Sequence, residues 1–189
     1  MKTQDRMYFD SFREVVKAVN STLDRQEVLD LLVSNVAQVM GLKACAIRML
    51  HGKKRTLELL ASHGLSERYI NKGSLEADKS IADAMEGETV SVYNATEDPR
   101  IQYPKEAKEE GISSMISVPL SCKGEVIGVL RLYTAEPREF SETELDFAEA
   151  LSEVGALAIE NARMQEAVKE DNEAIMSEMY DFVSYRRRT

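Results

Sequence analysis

Residues 113–133 contain two runs of apolar, largely β-branched residues, SSMISVPL (113–120) and EVIGVLRLY (125–133), joined through Cys122-Lys123-Gly124. So short a link between two such runs makes an antiparallel hairpin, and the hairpin commits the chain to an antiparallel sheet. Side chains alternate between the faces of a strand, so the two faces can be read separately. In 125–133, Val126, Gly128, Leu130 and Leu132 share one face, while Ile127, Val129, Arg131 and Tyr133 share the other. In 113–120, Ile116, Val118 and Leu120 oppose Ser113, Met115 and Ser117. A third run, 43–50, sets Cys45, Ile47 and Met49 against Ala44, Ala46, Arg48 and Leu50. Each strand thus has one purely apolar face, expected to pack on helices, and one mixed face, expected to line a pocket.

Arg48 and Arg131 stand out on those mixed faces, because an uncompensated charge within a sheet is costly. Two readings account for them. Planar guanidinium groups bind a carboxylate or phosphate through paired donors, so both arginines are candidates to hold an anionic ligand. Alternatively, carboxylates of the chain neutralise them. Strands 43–50 and 56–62 flank the turn HGKKR, and a hairpin centred on Lys53 would set Glu58 directly opposite Arg48. Pairing with Glu58 is therefore expected for Arg48. Arg131 then becomes the better candidate for an incoming anion, with Asp98 the nearest plausible internal partner.

Helices bracket the strands. Residues 4–22 carry Phe9, Phe12, Val16 and Val19, with Leu23 following, at the three-and-four spacing of a helix–helix seam. A second helix opens at Asp24, with Glu27 as its capping-box partner, and stops at Gly41. LSERYINKG reads as a loop or helical turn, SIADAMEG as a short helix closed by Gly87, and TVSVY (89–93) as a strand. A long polar connection, 94–111, contains a short helix at 104–110. Ser141, with Glu144 three residues on, begins a long final helix. Along it Val154, Ala158, Val168, Ile175, Met179 and Phe182 keep heptad-like spacing, and Asn161, Gln165 and Asn172 are polar insertions that fix register.

Composition excludes several classes. A net charge of −9 argues against a phosphate backbone as partner, so no nucleic acid is expected. No apolar run approaches the roughly 20 residues needed to span a bilayer, and MKTQDRMYFD lacks the apolar core of a signal peptide. No membrane association is expected. Cys45 and Cys122 are the only cysteines and suggest a reducing, cytoplasmic location rather than a disulfide framework. His51 and His63 have no carboxylate or cysteine at ligand spacing, so no metal site is expected.

Taken in order, the two opening helices, AIRML–turn–LELLASHGL, DPR in a long loop, SSMISVPL, KGEVIGVLRLYT and EFSETELDFAEALSEVGALAIENARM closely resemble a GAF domain over about residues 20–165. The resemblance implies an α+β fold with a six-stranded antiparallel sheet. The N- and C-terminal helices would lie on one face and a loop-covered ligand pocket on the other. It also places the first and fifth strands read here side by side, which would bring Arg48 and Arg131 into one cavity. On that pattern residues 1–23 form a dimerisation helix, 24–165 the GAF domain and 166–189 a helical extension. The family position of the lid adds Tyr93, Asn94, Asp98, Arg100 and Tyr103 to Ser117 and Tyr133 as ligand-binding candidates. Turn chemistry is the competing account of Asn94 and Asp98.

Known GAF sites are missing here. The cyclic-nucleotide set is not found, and the loop after residue 94 lacks the cysteine of bilin-binding relatives. The segments that hold active-site cysteines in free methionine-R-sulfoxide reductases contain none. The cofactor is left unknown. The function implied is non-enzymatic: sensing of an unknown small molecule, with anions among the candidates, by a homodimer built through the terminal helices, with a signalling protein as a further partner. The alternatives are a structural dimerisation module, its pocket filled by Met115, Leu50 and Tyr133, and a redox enzyme similar to the sulfoxide reductases.

Overall fold

A computed structural model describes residues 3–21, 24–51, 55–77 and 81–186. The helices are α1 (Thr3–Ser21), α2 (Arg25–Val39), α3 (Glu67–Ile70), α4 (Pro104–Glu110) and α5 (Glu142–Arg186), with a 3-10 turn at Asp83–Glu86. The strands are β1 (Ala44–His51), β2 (Thr56–His63), β3 (Leu75–Glu76), β4 (Val90–Val92), β5 (Ser114–Cys122) and β6 (Glu125–Thr134). They form one sheet in the order β3-β2-β1-β6-β5-β4 in which every neighbouring pair is antiparallel. The fold is α+β, as expected. β1 and β6, the two arginine strands, lie side by side at its centre.

The β5–β6 hairpin closes on Lys123 and Gly124, both at positive φ (52° and 83°), as a two-residue turn that follows the twist of its strands requires. Cys45, Ile47, Ile116, Val118, Leu130 and Leu132 turn to one side and build the main core with Leu29, Leu32 and Val36 of α2 and Leu151 and Ile159 of α5. This is the apolar face read from the alternation. α2 opens at Asp24, whose side chain accepts from the backbone N–H of Gln26 (2.8 Å) and Glu27 (3.3 Å). α5 opens on Ser141, whose N–H donates to the Glu144 carboxylate at 2.9 Å, as a capping box requires.

The first helix packs on the domain through a different side from the stripe read in its sequence. Its buried side is Tyr8, Ser11 and Val15, with Phe12 beside them, while Phe9 is 58% exposed. Tyr8 stacks on Phe147 of α5, with ring centroids 4.6 Å apart, and Ser11 hydrogen-bonds to Asn35 of α2. Two polar-capable residues thus face inward because each finds a partner there. α1 packs into the same core as the sheet through these contacts. Leu23, the turn residues 52–54 and the side chain of Phe182 lie outside the described residues.

The opposite face of the sheet is covered by shorter pieces. Tyr69 of α3, Ala107 of α4, Ala95 and Ile112 pack on Ala44, Ala46, Met115 and Tyr133. Ile81 and Ala84 pack on Leu57, Leu75 and Val129. β3, two residues pairing with the outer edge of β2, was not read from the sequence.

Candidate functional site

Arg48 and Arg131 point to that covered face and are 4% and 2% exposed. Across the β1–β6 ladder Arg131 pairs with Ala46 and Arg48 with Val129, so the two arginines are diagonal neighbours two residues apart. Ser117 sits opposite Arg131 on β5, and Met115 opposite Tyr133.

Glu58 does not neutralise Arg48. The β1–β2 register sets Arg48 against Leu59 and Glu58 against Met49, one residue off a hairpin centred on Lys53. A slip of one residue turns a side chain to the other face, and Glu58 is accordingly exposed. Nε and Nη2 of Arg48 therefore have no hydrogen-bond partner among the described residues, and neither has the hydroxyl of Tyr133. Burial holds the Arg48 guanidinium below its usual pKa; Tyr133 acts to raise it and Arg131 to lower it. Asp98 is likewise no partner for Arg131. Its carboxylate takes two bonds from the Arg100 guanidinium, at 2.9 and 2.6 Å, which holds it below the usual aspartate range.

A further cation approaches from the lid. Ser66 caps α3 by accepting from the Tyr69 N–H at 3.2 Å, and α3 lays Tyr69 over the sheet, edge-on to Tyr133 at 6.1 Å. Lys72 follows. Its ammonium lies 3.5 Å from the centre of the Tyr69 ring and donates to the Tyr69 carbonyl at 3.0 Å. Burial, then repulsion by Arg48 and Arg131, brings its pKa down to about 7. Tyr103 anchors this segment by donating to the Ser74 carbonyl at 2.8 Å. Gly73 has φ +133° and no room for a side chain, since a Cβ there would stand 2.6 Å from the Tyr103 hydroxyl.

The other expected site residues divide. Arg48, Arg131, Tyr133 and Ser117 converge on one face of the sheet. Arg100 also reaches Asp83 (3.9 Å) and, with Ser117 and Met115, lines a cavity of about 50 Å³. Asn94 forms a turn by accepting from the N–H and hydroxyl of Thr96, at 3.1 and 2.8 Å. Tyr93 is 57% exposed and lies outside the group. Lys72 and Tyr69 were missed, and nothing in YINKG marks them, because tertiary packing alone brings them to the arginines.

A profile of the GAF domain matches residues 22–160. The chain belongs to the GAF-domain family. Among solved structures, this GAF domain superposes on that of a phosphoenolpyruvate-protein phosphotransferase from Coxiella burnetii with a TM-score of 0.77 at 22% identity, covering 86% of this chain and 98% of that one. On the corresponding Acinetobacter domain the TM-score is 0.72 at 28% identity, covering 87% and 97%. It also shares its fold with a free methionine-R-sulfoxide reductase from Neisseria meningitidis, with a TM-score of 0.72 at 18% identity, covering 87% and 95%. Among curated proteins, a methyl sulfide methyltransferase-associated sensor from Methanosarcina acetivorans is 29% identical over 85% of this chain. The chain spans 17% of that sensor's length.

Proposed function

We propose that this GAF domain is a non-catalytic sensor that binds a small anionic ligand between β1, β6 and the α3–α4 lid, and that it signals as a homodimer. The observation that carries the proposal is Arg48, a guanidinium buried in the sheet with two N–H groups lacking partners. Leaving each such group unmade costs about 1–3 kcal/mol, and a carboxylate or phosphate oxygen would supply the missing acceptors. The similarity to a curated sensor agrees with this reading.

The dimer is inferred from α5. From Arg163 to Ser177 every residue is exposed, and Met164, Val168, Ile175, Met176 and Met179 present an apolar side interrupted at Asn172. A second copy of the helix would cover it, with α1 alongside. Cys45 supports the non-catalytic reading. It is wholly buried on the helix side of the sheet, and burial pushes its thiol well above the usual range, the reverse of what a thiolate nucleophile needs.

Thermal unfolding against a panel of small anions tests the sensor. A ligand at about 100 times its dissociation constant adds about 2.7 kcal/mol to the wild type and nothing to Arg48→Met. No anion-specific stabilisation would favour the structural module, a reading that Met115 and Tyr133, both buried on the pocket face, also fit. Sedimentation showing a monomer at micromolar concentration would remove the dimer.

A further inference from the structure

We infer that two copies of α5 pair in parallel and in register along a seam that repeats every 11 residues, with Asn161 and Asn172 each meeting its own counterpart. The inference rests on the homodimer proposed above and adds the orientation, register and coil of its interface. Burial decides which positions are free to form the seam. Val154 packs against the main core and Ala158 is buried beside Val19 and Val28, so the heptad-like row read from the sequence turns into the domain there. The exposed residues follow a different interval. Leu157, Val168 and Met179 recur at a spacing of 11, as do Met164 and Ile175, and as do Asn161 and Asn172; all seven are exposed. On a helix of about 3.6 residues per turn these positions lie within an arc of about 80°. A heptad continued from Met164 and Val168 would instead arrive at Asp171. A period of 11 corresponds to about 3.67 residues per turn, so helices sharing this seam run almost straight, with a slight right-handed coil, whereas a heptad seam winds them left-handed.

The asparagines set the occupant and its direction. In a parallel pair in register, Asn161 faces Asn161 and Asn172 faces Asn172, so each amide donates to and accepts from its twin while every apolar position meets an apolar one. An antiparallel pair overlays the row on itself when centred on Val168, which sets Asn161 against Ile175 and Asn172 against Met164. Moving the centre to match Asn161 with Asn172 sets Met164 against Lys169 instead. Either arrangement leaves a polar group facing an apolar one out of water. The flanks of the seam agree. Asp171 stands on one side; Glu160 shares that side but is taken by Lys123 at 3.0 Å. Lys169 stands on the other side, along an open groove with Met164, Val168 and Met176, and its only ion pair among the described residues is an exposed one to Glu173 at 3.9 Å. Parallel helices bring opposite flanks together and antiparallel helices bring like flanks together. A parallel dimer therefore turns Lys169 toward the acidic flank of the other copy, and an antiparallel one turns it toward the flank that bears Lys169 itself.

Disulfide cross-linking of the full chain reads orientation and period together. Cys45 is wholly buried and stays, and Cys122→Ser removes the more accessible thiol and serves as the blank. Into that background go single cysteines, Val168→Cys, Asp171→Cys, Asn172→Cys and Ile175→Cys, all at exposed positions, and sedimentation establishes the oligomeric state of each. Cysteines at Val168, Asn172 and Ile175 should each cross-link to the same position of the other copy, and Asn172→Cys should do so about tenfold faster than Asp171→Cys, because a disulfide needs its two Cβ atoms about 4 Å apart. Asp171→Cys matching or outpacing Asn172→Cys would overturn the 11-residue seam. Cross-linking at a single one of these positions would overturn the parallel orientation, since an antiparallel pair brings like residues together only at its dyad. A dimer that cross-links at none of them would place its interface away from this row and overturn the inference while the homodimer stands. A monomer by sedimentation in the Cys122→Ser background would remove the homodimer itself and the inference with it.

Discussion

Replacing Arg48 with methionine should make the ligand-free protein more stable. Arginine at this position spends a guanidinium in a site where Nε and Nη2 meet no acceptor among the described residues. Each missing bond costs about 1–3 kcal/mol, so the gross penalty is about 2–6 kcal/mol. Methionine keeps much of the aliphatic stem but leaves part of the guanidinium volume unfilled, which returns some of that gain. The net expectation is a stabilisation of about 2 kcal/mol. For a domain of this size it corresponds to a rise in Tm of roughly 4–8 °C. Urea unfolding measures it, provided that the m-value is unchanged, so that the shift reports stability rather than a changed unfolded state. The substitution should also raise the pKa of Lys72, because Arg48 is the first of the two charges that depress it. A destabilisation of about 3–5 kcal/mol would refute the reasoning, since that is the cost of removing one member of a buried ion pair.

Other substitutions probe neighbouring steps of the same argument. Glu58→Gln should change stability by no more than about 0.5 kcal/mol in denaturant unfolding, because Glu58 is exposed and lies across from Met49 rather than Arg48. The pKa of Lys72 falls from 10.5 in the unfolded chain to about 7 in the fold, so between those values the unfolded chain binds more protons and stability rises with pH. Lys72→Met should flatten that rise in urea titrations from pH 7 to 10, and an unchanged slope would refute the assignment. Gly155→Ala gains about 1 kcal/mol of helix propensity but sets a methyl 3.2 Å from Leu32 and 3.3 Å from Leu120, a crowding that costs about 1–3 kcal/mol. A net loss of about 1 kcal/mol is expected, and a net gain would show that α5 is not seated tightly on the sheet.

The parts of the fold that were legible are those with a local cause. Alternation assigned Cys45, Ile47, Ile116, Val118, Leu130 and Leu132 to the helix side because a strand has only two faces to choose from. Asp24 and Ser141 marked helix starts because only a few side chains can reach back to the first free N–H groups. β3 could not be read, since two residues carry no period. The β1–β2 register was missed by one position, because turn length sets it and a run such as HGKKR is compatible with more than one centre. That single step decides whether Arg48 is neutralised, so the chemistry of the site depended on the least legible feature of the sheet. On α1 the three-and-four spacing pointed to Phe9, Phe12, Val16 and Val19 and passed over Tyr8 and Ser11, whose inward partners are Phe147 and Asn35.

Arg48 and Ile47 are consecutive residues on opposite faces of β1, and the ladder to β2 shifts register between them. Arg48 lies under the lid, whereas Ile47 is in the helix-side core with α2 and α5. At Gly155, α5 comes so close to the sheet that a Cβ would be 3.9 Å from the end of Ile47 and nearer still to Leu32 and Leu120. On the sensor reading proposed above, a ligand that draws Arg48 toward the lid would act one residue away from the point at which the long helix rests on the sheet. Close-packed side chains transmit such a displacement, because an interior at crystal density has no slack to absorb it. From Gly155 to Arg186 the helix runs about 45 Å, so a tilt of about 5° at the sheet moves its far end by about 4 Å. That is the scale of shift that repacks a helix interface, and the exposed apolar side of α5 lies along the arm that would carry it.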